Sequence, residues 1–371
     1  MKKVLFLINT LNAGGAERIL VDTVNSLDPR KYQITVQTVQ DVGAHRKYLS
    51  SHIRYKSMIR TKNAFVRGFL SRLILRLLGP GFVYRFFVKD DFDYEIAFLE
   101  GQPTRILSRS TNRRARRYAW IHTDLNAYPD SVLCYGSEAA EKAAYQVYDK
   151  VICVSESVKA EFLKKYPLEE HRVQVVYNII DDLAVCEAAK EPAVLPAGRK
   201  PVLISVGRLV KQKGYDRLLR VHHRLIREGL LHSLVLIGDG EQREALLDFV
   251  QQNGLSDTVS FLGYQSNPYP YICKADLFVC SSYAEGYSTV VSEAVLCGTP
   301  VLSTEVAGAR EPADWPRCSV VVENSEEGLY EGLRTLLMEP EKLAALQDDL
   351  EIRKCGLRKS HLVAEFERKL F

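Results

Sequence analysis

Two glutamates eight positions apart, Glu285 and Glu293, are the pair in this chain whose spacing most clearly suggests chemistry. A short loop, residues 286–289, separates Glu285 from the start of an apolar run. Carboxylates accept hydrogen bonds from hydroxyl groups, and the bare amides of a helix N-terminus favour phosphate. The pair could therefore hold the hydroxyls of a sugar or ribose beside an anionic group.

The flanking elements are expected to place this loop at the edge of a sheet. Residues 275–280 are mostly apolar and predict a buried strand, and residues 289–297 have helical spacing. Gly298-Thr-Pro300 ends the helix before a second strand at 301–304. In such a unit the loop after the first strand lies at the carboxyl edge of the sheet, where open α/β folds bind ligands.

Two cations follow another predicted strand, residues 201–206. Arg208 comes directly after it, and Lys213 precedes Gly214, which opens the next helix. Together they could neutralise a diphosphate of about two negative charges, with arginine offering a planar fork. On these residues alone, a solvated pair of loop charges remains the alternative.

The N-terminal half offers two further candidates. Gly14 and Gly15 lie between a predicted strand at 4–8 and a helix at 16–27, where glycine lets backbone approach a ligand; a tight packing turn is the alternative. No G-x-G-x-x-G pattern occurs, which disfavours a nicotinamide enzyme. His122 ends a predicted strand and is well placed to donate a hydrogen bond or a proton, or else is structural.

Strands alternate with helices through both halves, and this pattern predicts an α/β protein with two parallel-sheet domains. A length of 371 residues also favours two domains. The expected boundaries are an N-terminal domain at 1–185, a linker at 186–200 and a C-terminal domain at 201–355. Residues 356–371 are expected to form a helix that packs back on the N-terminal domain.

Positive charge is concentrated in the first half. Residues 1–190 hold 29 Lys and Arg against 21 Asp and Glu, and eleven of these cations lie between Val42 and Lys89 without one acid. Within residues 54–89, Arg72 and Arg76 are i,i+4 neighbours with apolar residues on the other side. This is typical of a basic amphipathic helix suited to an anionic membrane surface, and a surface helix on the core is the alternative. Nucleic acid is disfavoured because no binding module accompanies the charge.

Metal and membrane-spanning signals are weak. Asp91-Phe-Asp93 resembles a D-x-D metal signature but is better explained as a charged turn, so no metal is predicted. The eight cysteines are scattered and predict reduced core thiols of a cytosolic protein. No apolar run approaches the ~20 residues of a membrane span.

Taken together, these segments resemble glycosyltransferase family 4, retaining enzymes of the GT-B architecture in which two Rossmann-like domains face each other across a cleft. The resemblance covers almost the whole chain, and four motifs carry it in the correct order. These are Gly14-Gly15-Ala-Glu17, Gly207-Arg208-x4-Lys213-Gly214, Gly238-Asp-Gly240 and Glu285-x7-Glu293.

The resemblance implies how a sugar nucleotide would be bound. Arg208 and Lys213 would hold the diphosphate, the Gly15 amide would close on it beside Gly14, and Glu293 would bind the ribose hydroxyls. No cofactor other than this donor is implied.

For the transferred sugar, the resemblance implies that Glu285 and the backbone amides of the following loop bind it and the phosphate. These amides belong to Gly286, Tyr287, Ser288 and Thr289. His122 would hydrogen-bond the sugar near the reacting carbon, and the leaving phosphate would take the acceptor proton without a metal.

The predicted function is therefore retaining transfer of a sugar from a nucleotide-diphosphate sugar, a UDP-sugar, to a lipid-linked or saccharide acceptor. The predicted setting is capsule or exopolysaccharide synthesis at the inner face of the plasma membrane, by a cytoplasmic, peripheral protein. The alternative is a catalytically idle, sugar-nucleotide-binding partner subunit of a glycosyltransferase complex.

Overall fold

The computed structural model describes the backbone of all residues except 13, 62, 64, 67, 69–77, 127–128, 312–318 and 354–356, and side chains except also those of 129–130, 349 and 351–353. The described residues form two compact units. One comprises Met1–Ile179 and Leu362–Phe371, and the other comprises Ile180–His361. Each is a parallel sheet with helices, so the predicted α/β fold with two parallel-sheet domains is confirmed.

A seven-stranded parallel sheet forms the N-terminal unit. Its strands are β1 (Lys2–Ile8), β2 (Tyr32–Gln40), β3 (Arg54–Ile59), β4 (Tyr94–Ala97), β5 (Arg116–Ile121), β6 (Lys150–Cys153) and β7 (Val173–Val175). The spatial order is β3-β2-β1-β4-β5-β6-β7. Because the order reverses direction between β1 and β4, the loops after these strands border the topological switch point, where open α/β sheets bind ligands.

Helices cover this sheet, and polar N-caps start two of them. The described helices are α1 (Gly15–Ser26), α2 (Gly79–Phe87), α3 (Gln102–Leu107), α4 (Glu138–Gln146) and α5 (Glu156–Lys165). Ser137 and Ser155 accept backbone N–H groups of the first turns of α4 and α5.

The basic segment at 54–89 contains two elements that the sequence did not reveal. Residues Arg54–Ile59 form the edge strand β3, and Gly79–Phe87 form the helix α2. The segment is therefore not one amphipathic helix throughout. The predicted helix with Arg72 and Arg76 lies outside the described residues, as does Arg67.

The C-terminal unit contains a six-stranded parallel sheet. Its strands are β8 (Val202–Val206), β9 (Ser233–Ile237), β10 (Val259–Gly263), β11 (Leu277–Cys280), β12 (Val301–Thr304) and β13 (Ser319–Val322). They lie in the order β10-β9-β8-β11-β12-β13. The switch point falls between β8 and β11, which brings the loops after these two strands to one place at the carboxyl edge.

The described helices of this unit lie before, between and after the strands. They are α6 (Asp182–Ala188), α7 (Tyr215–Arg227), α8 (Arg243–Gln252), α9 (Tyr269–Ile272), α10 (Thr289–Leu296), α11 (Glu326–Met338) and α12 (Pro340–Arg353). Apolar side chains fill two buried clusters, one containing Ile204, Phe278 and Ala294, the other containing Leu203, Val279 and Leu333. Since neighbouring strand residues point to opposite faces, Leu203 and Ile204 fall in different clusters.

The two units divide before the segment predicted as the linker, 186–200. The division falls between Ile179 and Ile180, because Ile180 and Val185 of the α6 region pack into the core of the C-terminal unit.

The last helix, α13 (Lys359–Leu370), ends within the N-terminal unit. There the Tyr118 hydroxyl donates to the Leu370 carbonyl at 2.9 Å, and the rings of Trp120 and Phe366 stack at 5.6 Å.

Candidate functional site

Lys213 and Glu285 form an ion pair at the switch point of the C-terminal sheet. Lys213 Nζ lies 2.6 Å from Glu285 Oε1, and the Ser282 hydroxyl donates to the same oxygen at 2.6 Å. Glu285 is only 9% exposed. Burial by itself lowers the pKa of the Lys213 ammonium, but the charge of Glu285 outweighs this effect, so its pKa is raised. Lys213 is therefore a cation that is already partly neutralised.

Gly214 allows the Lys213 turn to lie against the loop that follows β11. Its φ is +65°, and a Cβ there would come within 2.0 Å of the Ser281 carbonyl oxygen. Any other residue would both strain this backbone and collide with it. The glycine in the predicted Gly207-Arg208-x4-Lys213-Gly214 motif thus has a packing reason.

Arg208 follows β8 on the same loop as Lys213, and its side chain is exposed. Within the part of the chain that the structure describes, its guanidinium has no acidic partner. Gly238 supports this loop, since its φ is +141° and a Cβ would lie 1.9 Å from the Gly207 carbonyl oxygen. The exposed, unneutralised Arg208 and the paired Lys213 are therefore cations of two different kinds.

The helix α10 begins beside Glu285 without a side-chain cap. Its N-cap residue, Ser288, makes no capping hydrogen bond, and the buried Ser288 Oγ has no partner among the described residues. A cavity of about 10 Å³ lined by Lys213, Glu285 and Ser288, among others, lies here. This is the volume of about one water molecule. An uncapped helix start next to the Lys213 ammonium is a favourable place for an anion.

Tyr287 contributes its backbone rather than its hydroxyl to this loop. The side chain is buried, and Ser292 Oγ lies 3.2 Å from the Tyr287 hydroxyl. Burial raises the pKa of Tyr287 to about 12. The residue therefore anchors the loop around Gly286 from inside the unit.

Glu293 lies one helical turn into α10 and is 6% exposed. The Tyr269 hydroxyl on α9 donates to Glu293 Oε1 at 2.9 Å. This contact orients a carboxylate that the spacing had already singled out. Tyr269 itself was missed, because it lies 24 residues away in sequence and nothing in its surroundings marks it as a partner.

Arg217 was also missed by sequence reasoning, although it holds the loop that carries Glu285. The guanidinium is 2% exposed and donates to the carbonyls of Ser281 at 2.8 Å and Ser282 at 2.6 Å. The guanidinium also donates a hydrogen bond to Asn324 Oδ1 at 2.8 Å. The signal for Arg217 that the sequence offered was its position on the apolar face of α7.

In the N-terminal unit, Gly14 and Gly15 lie at the carboxyl end of β1, at the start of α1. Gly14 has extended backbone, and a Cβ there would be 2.1 Å from Glu17 Oε2. The Thr10 hydroxyl donates to Glu17 Oε1 at 3.2 Å. At Gly15 a Cβ would meet nothing within 4 Å, so space is open beside its backbone.

His122 directly follows β5, and Glu100 fixes its backbone. The His122 amide donates to Glu100 Oε2 at 3.1 Å, and the Thr123 hydroxyl donates to Glu100 Oε1 at 2.8 Å. Burial raises the pKa of Glu100. Glu100 was not singled out in the sequence, where an acid directly after a buried strand was the only signal.

The His122 ring is neutral at physiological pH. Burial lowers its pKa to about 3, against the opposing effect of a hydrogen bond to the Phe98 backbone. The buried Nε2 has no partner among the residues described, so this atom is left for a ligand. A neutral imidazole can donate a hydrogen bond from one nitrogen and accept one at the other. Hydrogen bonding of His122 to a sugar therefore stays a prediction.

The Asp91-Phe-Asp93 signature has a structural explanation. Asp93 Oδ2 accepts the Lys3 amide at 2.8 Å, at the beginning of the sheet rather than at its carboxyl edge. Across the described ranges, no group of three or more His, Cys, Asp or Glu residues is arranged to hold a metal ion. None of the described helices is long and apolar enough to cross a membrane.

Two family models match the chain and together span most of it. Residues 13–182 match Glycosyltransferase Family 4, and residues 187–349 match Glycosyl transferases group 1. The chain therefore belongs to the glycosyltransferases, and its two parallel-sheet units are of the GT-B type. The family resemblance of the sequence is confirmed.

Among similar proteins is the N-acetylgalactosamine-N,N'-diacetylbacillosaminyl-diphospho-undecaprenol 4-alpha-N-acetylgalactosaminyltransferase of Campylobacter jejuni. It is 25% identical over 92% of either chain. The lipopolysaccharide core biosynthesis glycosyltransferase LpsE of Rhizobium meliloti is 39% identical over 38% of this chain and 39% of its own length.

Solved structures share the fold over the full length. Anabaena Alr3699/HepE in complex with UDP and glucose has a TM-score of 0.76 at 18% identity, covering 100% of this chain and 99% of its own. Sucrose-phosphate synthase of Thermosynechococcus elongatus has a TM-score of 0.74 at 17% identity, covering 99% of this chain and 98% of its own.

Proposed function

We propose that the protein transfers a sugar from a UDP-sugar, with retention of configuration and without a metal, to a lipid-linked acceptor in cell-surface polysaccharide synthesis. The observation that carries the proposal is the ion pair of Lys213 and Glu285 beside the uncapped start of α10, with the exposed Arg208 on the same loop as Lys213. Two cations and a helix N-terminus stabilise the charge that develops on a departing diphosphate. No cofactor besides the donor is needed for this chemistry.

The two cations have separable roles in this proposal. Arg208 is exposed and available to the diphosphate, whereas Lys213 is paired with Glu285 at 2.6 Å before any donor arrives. When the donor binds, the phosphate and Glu285 share Lys213, which orients Glu285 toward a sugar hydroxyl. Glu285 thereby acts as a hydrogen-bond acceptor rather than as a base.

The donor nucleoside is proposed to contact Glu293. The carboxylate is buried and held by Tyr269, so it is oriented in advance for two ribose hydroxyls. UDP in the Anabaena structure of the same fold supports a uridine nucleotide as the donor.

Roles for Gly15 and His122 are proposed on the family resemblance and on their own geometry. The open space at Gly15 suits an approach of its amide to phosphate. The neutral His122, with Nε2 left for a ligand, suits a sugar hydroxyl as its partner and leaves the acceptor proton to the leaving phosphate. These two residues therefore bind the sugar nucleotide and do not transfer protons.

An acceptor with a lipid-linked diphosphate is supported by the Campylobacter relative, whose name specifies diphospho-undecaprenol. The helix α2 supports a membrane location. Phe82 and Phe86 are 52% and 53% exposed, and their rings stack at 5.9 Å. The exposed Arg85 lies between them in sequence, and Lys89 Nζ lies 5.3 Å from the Phe86 ring. Exposed aromatics with flanking cations fit an anionic bilayer surface.

The transfer reaction can be tested with the purified full chain, a panel of UDP-, GDP- and ADP-sugars, and a polyprenyl-diphosphate saccharide acceptor. We expect transfer from a UDP-sugar, an unchanged rate in EDTA, and a product whose anomeric configuration by NMR matches that of the donor. An inverted product would contradict retention, and loss of activity in EDTA would contradict metal independence.

The same assay separates the enzyme from an idle partner subunit. Glu285→Gln should lower transfer and donor hydrolysis at least tenfold, whereas the exposed Glu323→Gln should leave both unchanged. If the unmodified protein neither hydrolyses nor transfers any sugar nucleotide, the idle-subunit alternative is favoured.

Membrane contact is tested by sedimentation with vesicles of phosphatidylcholine containing phosphatidylglycerol. The double variant Phe82→Ala/Phe86→Ala should bind at least several-fold more weakly than the unmodified chain. Leu183→Ala, which removes a comparably exposed side chain of the other unit, is the control. Equal binding of all three proteins would remove α2 from the proposal.

A further inference from the structure

Three thiols meet beside the helices that hold Glu293. The Cys273 thiol, directly after α9, donates to the Cys297 carbonyl at 3.2 Å. The Cys297 thiol, directly after α10, donates to the Tyr269 carbonyl at 3.9 Å. On α6, the Cys186 thiol donates to the Leu296 carbonyl at 3.9 Å. These contacts bring together cysteines that are 24 and 111 residues apart in sequence and that showed no pairing pattern there.

Cys273 and Cys297 are therefore neighbours, and they differ in exposure. Cys273 is exposed, whereas Cys297 is half-buried. A hydrogen bond with Cys273, followed by burial, raises the pKa of the Cys297 thiol. Cys297 therefore keeps its proton, and Cys273 is the thiol that meets solvent. This is the arrangement of an attacking and a resolving thiol.

We propose that Cys273 and Cys297 form a reversible thiol–disulfide site, oxidised by hydrogen peroxide and reduced by small dithiols. The site is separate from the residues proposed to bind the donor. It stands on the 3.2 Å contact between the Cys273 sulfur and the Cys297 carbonyl oxygen and on the exposure of Cys273, and it does not depend on the proposed function.

The reaction balances in two steps. The Cys273 thiolate attacks one peroxide oxygen, the O–O bond breaks, and the released hydroxide takes a proton to form water, leaving a sulfenic acid on Cys273. The Cys297 sulfur then attacks the Cys273 sulfur, the S–OH bond breaks, and a second water leaves with the Cys297 proton. The two sulfurs lose two electrons in all, and one peroxide gains them.

Oxidation is expected to affect Glu293 because the two cysteines follow the helices that carry its contact with Tyr269. A disulfide holds its two sulfur atoms about 2.05 Å apart. The ends of α9 and α10 must shift together, which disturbs the 2.9 Å hydrogen bond between Tyr269 and Glu293. If Glu293 binds ribose as proposed above, the oxidised protein should bind UDP several-fold more weakly.

Peptide mapping tests the site independently of activity. The reduced full chain is treated with equimolar hydrogen peroxide, alkylated with N-ethylmaleimide and digested with trypsin. We expect peptide 244–274, which contains only Cys273, to be joined to peptide 275–310, and dithiothreitol to separate them. Because the second peptide also contains Cys280, fragment ions must locate the bond at Cys297. A bond to Cys280 or Cys186, or a reduced Cys297 beside an oxidised Cys273, would overturn the proposal.

Serine variants supply the controls. Cys273→Ser and Cys297→Ser should each abolish the joined peptide, whereas Cys186→Ser should retain it. Titration with UDP, alone and after oxidation, then tests the effect on Glu293. A weaker affinity in the oxidised unmodified chain, but not in oxidised Cys273→Ser, supports the link. A disulfide that forms while UDP affinity is unchanged would overturn the link to Glu293. UDP binding by the reduced protein tests the proposed function separately.

Discussion

Lys213 and Glu285 set the electrostatics of the C-terminal unit at the residue scale. Their contact of 2.6 Å places a nearly buried anion against a partly buried cation, and the Ser282 hydroxyl supplies a second donor to the carboxylate. Such a pair adds little net stability, because both charges must leave water. Removing one partner is costly, because the other charge then remains buried without compensation. We interpret the pair as a site for an anion rather than as a source of stability.

This interpretation predicts a specific stability pattern. Lys213→Met should lower the free energy of unfolding by about 2 kcal/mol, less than for a fully buried pair because Lys213 is partly exposed. The double variant Lys213→Met/Glu285→Gln should recover most of that loss. Lys211→Met, which removes an exposed partner of Asp216, should cost less than about 1 kcal/mol. Urea unfolding checks all three. A double variant as unstable as the single one would contradict the buried-charge explanation.

Two buried histidines of the C-terminal unit form a second polar cluster. His222 Nδ1 lies 2.8 Å from His232 Nε2, and His232 Nδ1 lies 2.8 Å from the Leu230 carbonyl oxygen. Because His232 Nδ1 must donate to that carbonyl, its Nε2 accepts from His222. His232 cannot then take a proton at Nε2 without losing its hydrogen bond from His222. Burial lowers the pKa of His222 to about 3 and lowers that of His232.

The histidines predict that acid destabilises this unit. In the unfolded chain they protonate near pH 6.5, but in the fold the pKa of His222 is about 3. The stability that His222 confers is complete above pH 6.5 and falls as the pH drops toward 3, by about 1.4 kcal/mol per pH unit, and His232 contributes in the same direction. Urea unfolding at pH 7.5 and 5.0 should show this loss.

The loss of unfolding free energy between pH 7.5 and 5.0 should be smaller in His222→Leu/His232→Leu. It should persist in His171→Gln, which changes an exposed histidine. An unchanged pH dependence in the double variant would contradict the assignment.

At the scale of elements, the loop after β11 is the functional element with the most support. Arg217 on α7 binds the carbonyls of Ser281 and Ser282, and its guanidinium lies 4.1 Å from the Tyr283 ring. These contacts satisfy carbonyls that the strand no longer pairs. The helix α7 thereby positions the segment that carries Glu285.

Replacing Arg217 should therefore damage both stability and donor binding. Arg217→Met leaves the Ser281 carbonyl without its donor and the Ser282 carbonyl with only the Thr304 hydroxyl, and we expect a loss of about 2–4 kcal/mol in urea unfolding. UDP affinity should fall at least tenfold as the loop loses its position. The control Arg220→Met removes an exposed arginine of the same helix that pairs with Glu326 and should change neither. Normal UDP affinity in Arg217→Met would show that the loop does not depend on this residue.

Elements with simple patterns could be predicted from the sequence, and those with mixed patterns could not. The buried strands β1, β8 and β11 are continuous apolar runs, so their places were clear. The edge strand β3, Arg54–Ile59, alternates charged and polar residues with few apolar ones, because an edge strand buries less. The sequence therefore indicates only a basic amphipathic segment there.

The residues of the candidate site likewise divide into those that a sequence pattern predicts and those that it does not. Residues in local motifs, such as Glu285 and Glu293, were found by their spacing. Tyr269, Glu100 and Arg217 were not, because each acts through a hydrogen bond to a residue 22 or more positions away. Only the folded sheet order brings those partners together, and a single sequence contains no record of it.

At the scale of the whole molecule, the same arrangement occurs twice. Each unit reverses its strand order once, between β1 and β4 and between β8 and β11. Each brings a glycine-containing loop to that point, with Gly15 in one unit and Gly207 in the other. The carboxylate beside each loop, Glu100 or Glu285, is held by hydrogen bonds. The charge is nonetheless unequal, because the excess of Lys and Arg over Asp and Glu is concentrated in residues 1–190.

The central claim is that the C-terminal unit binds the diphosphate of a UDP-sugar through Arg208 and Lys213. Arg208 allows the cleanest test, because it is exposed and has no acidic partner among the residues the structure describes, so its removal should not disturb folding. Calorimetric titration of UDP into the full chain and into Arg208→Met, with thermal unfolding of both, measures the claim directly. We predict at least a tenfold weaker Kd for Arg208→Met at an unchanged melting temperature. Equal affinity in the two proteins, or no binding of UDP by either, would contradict it.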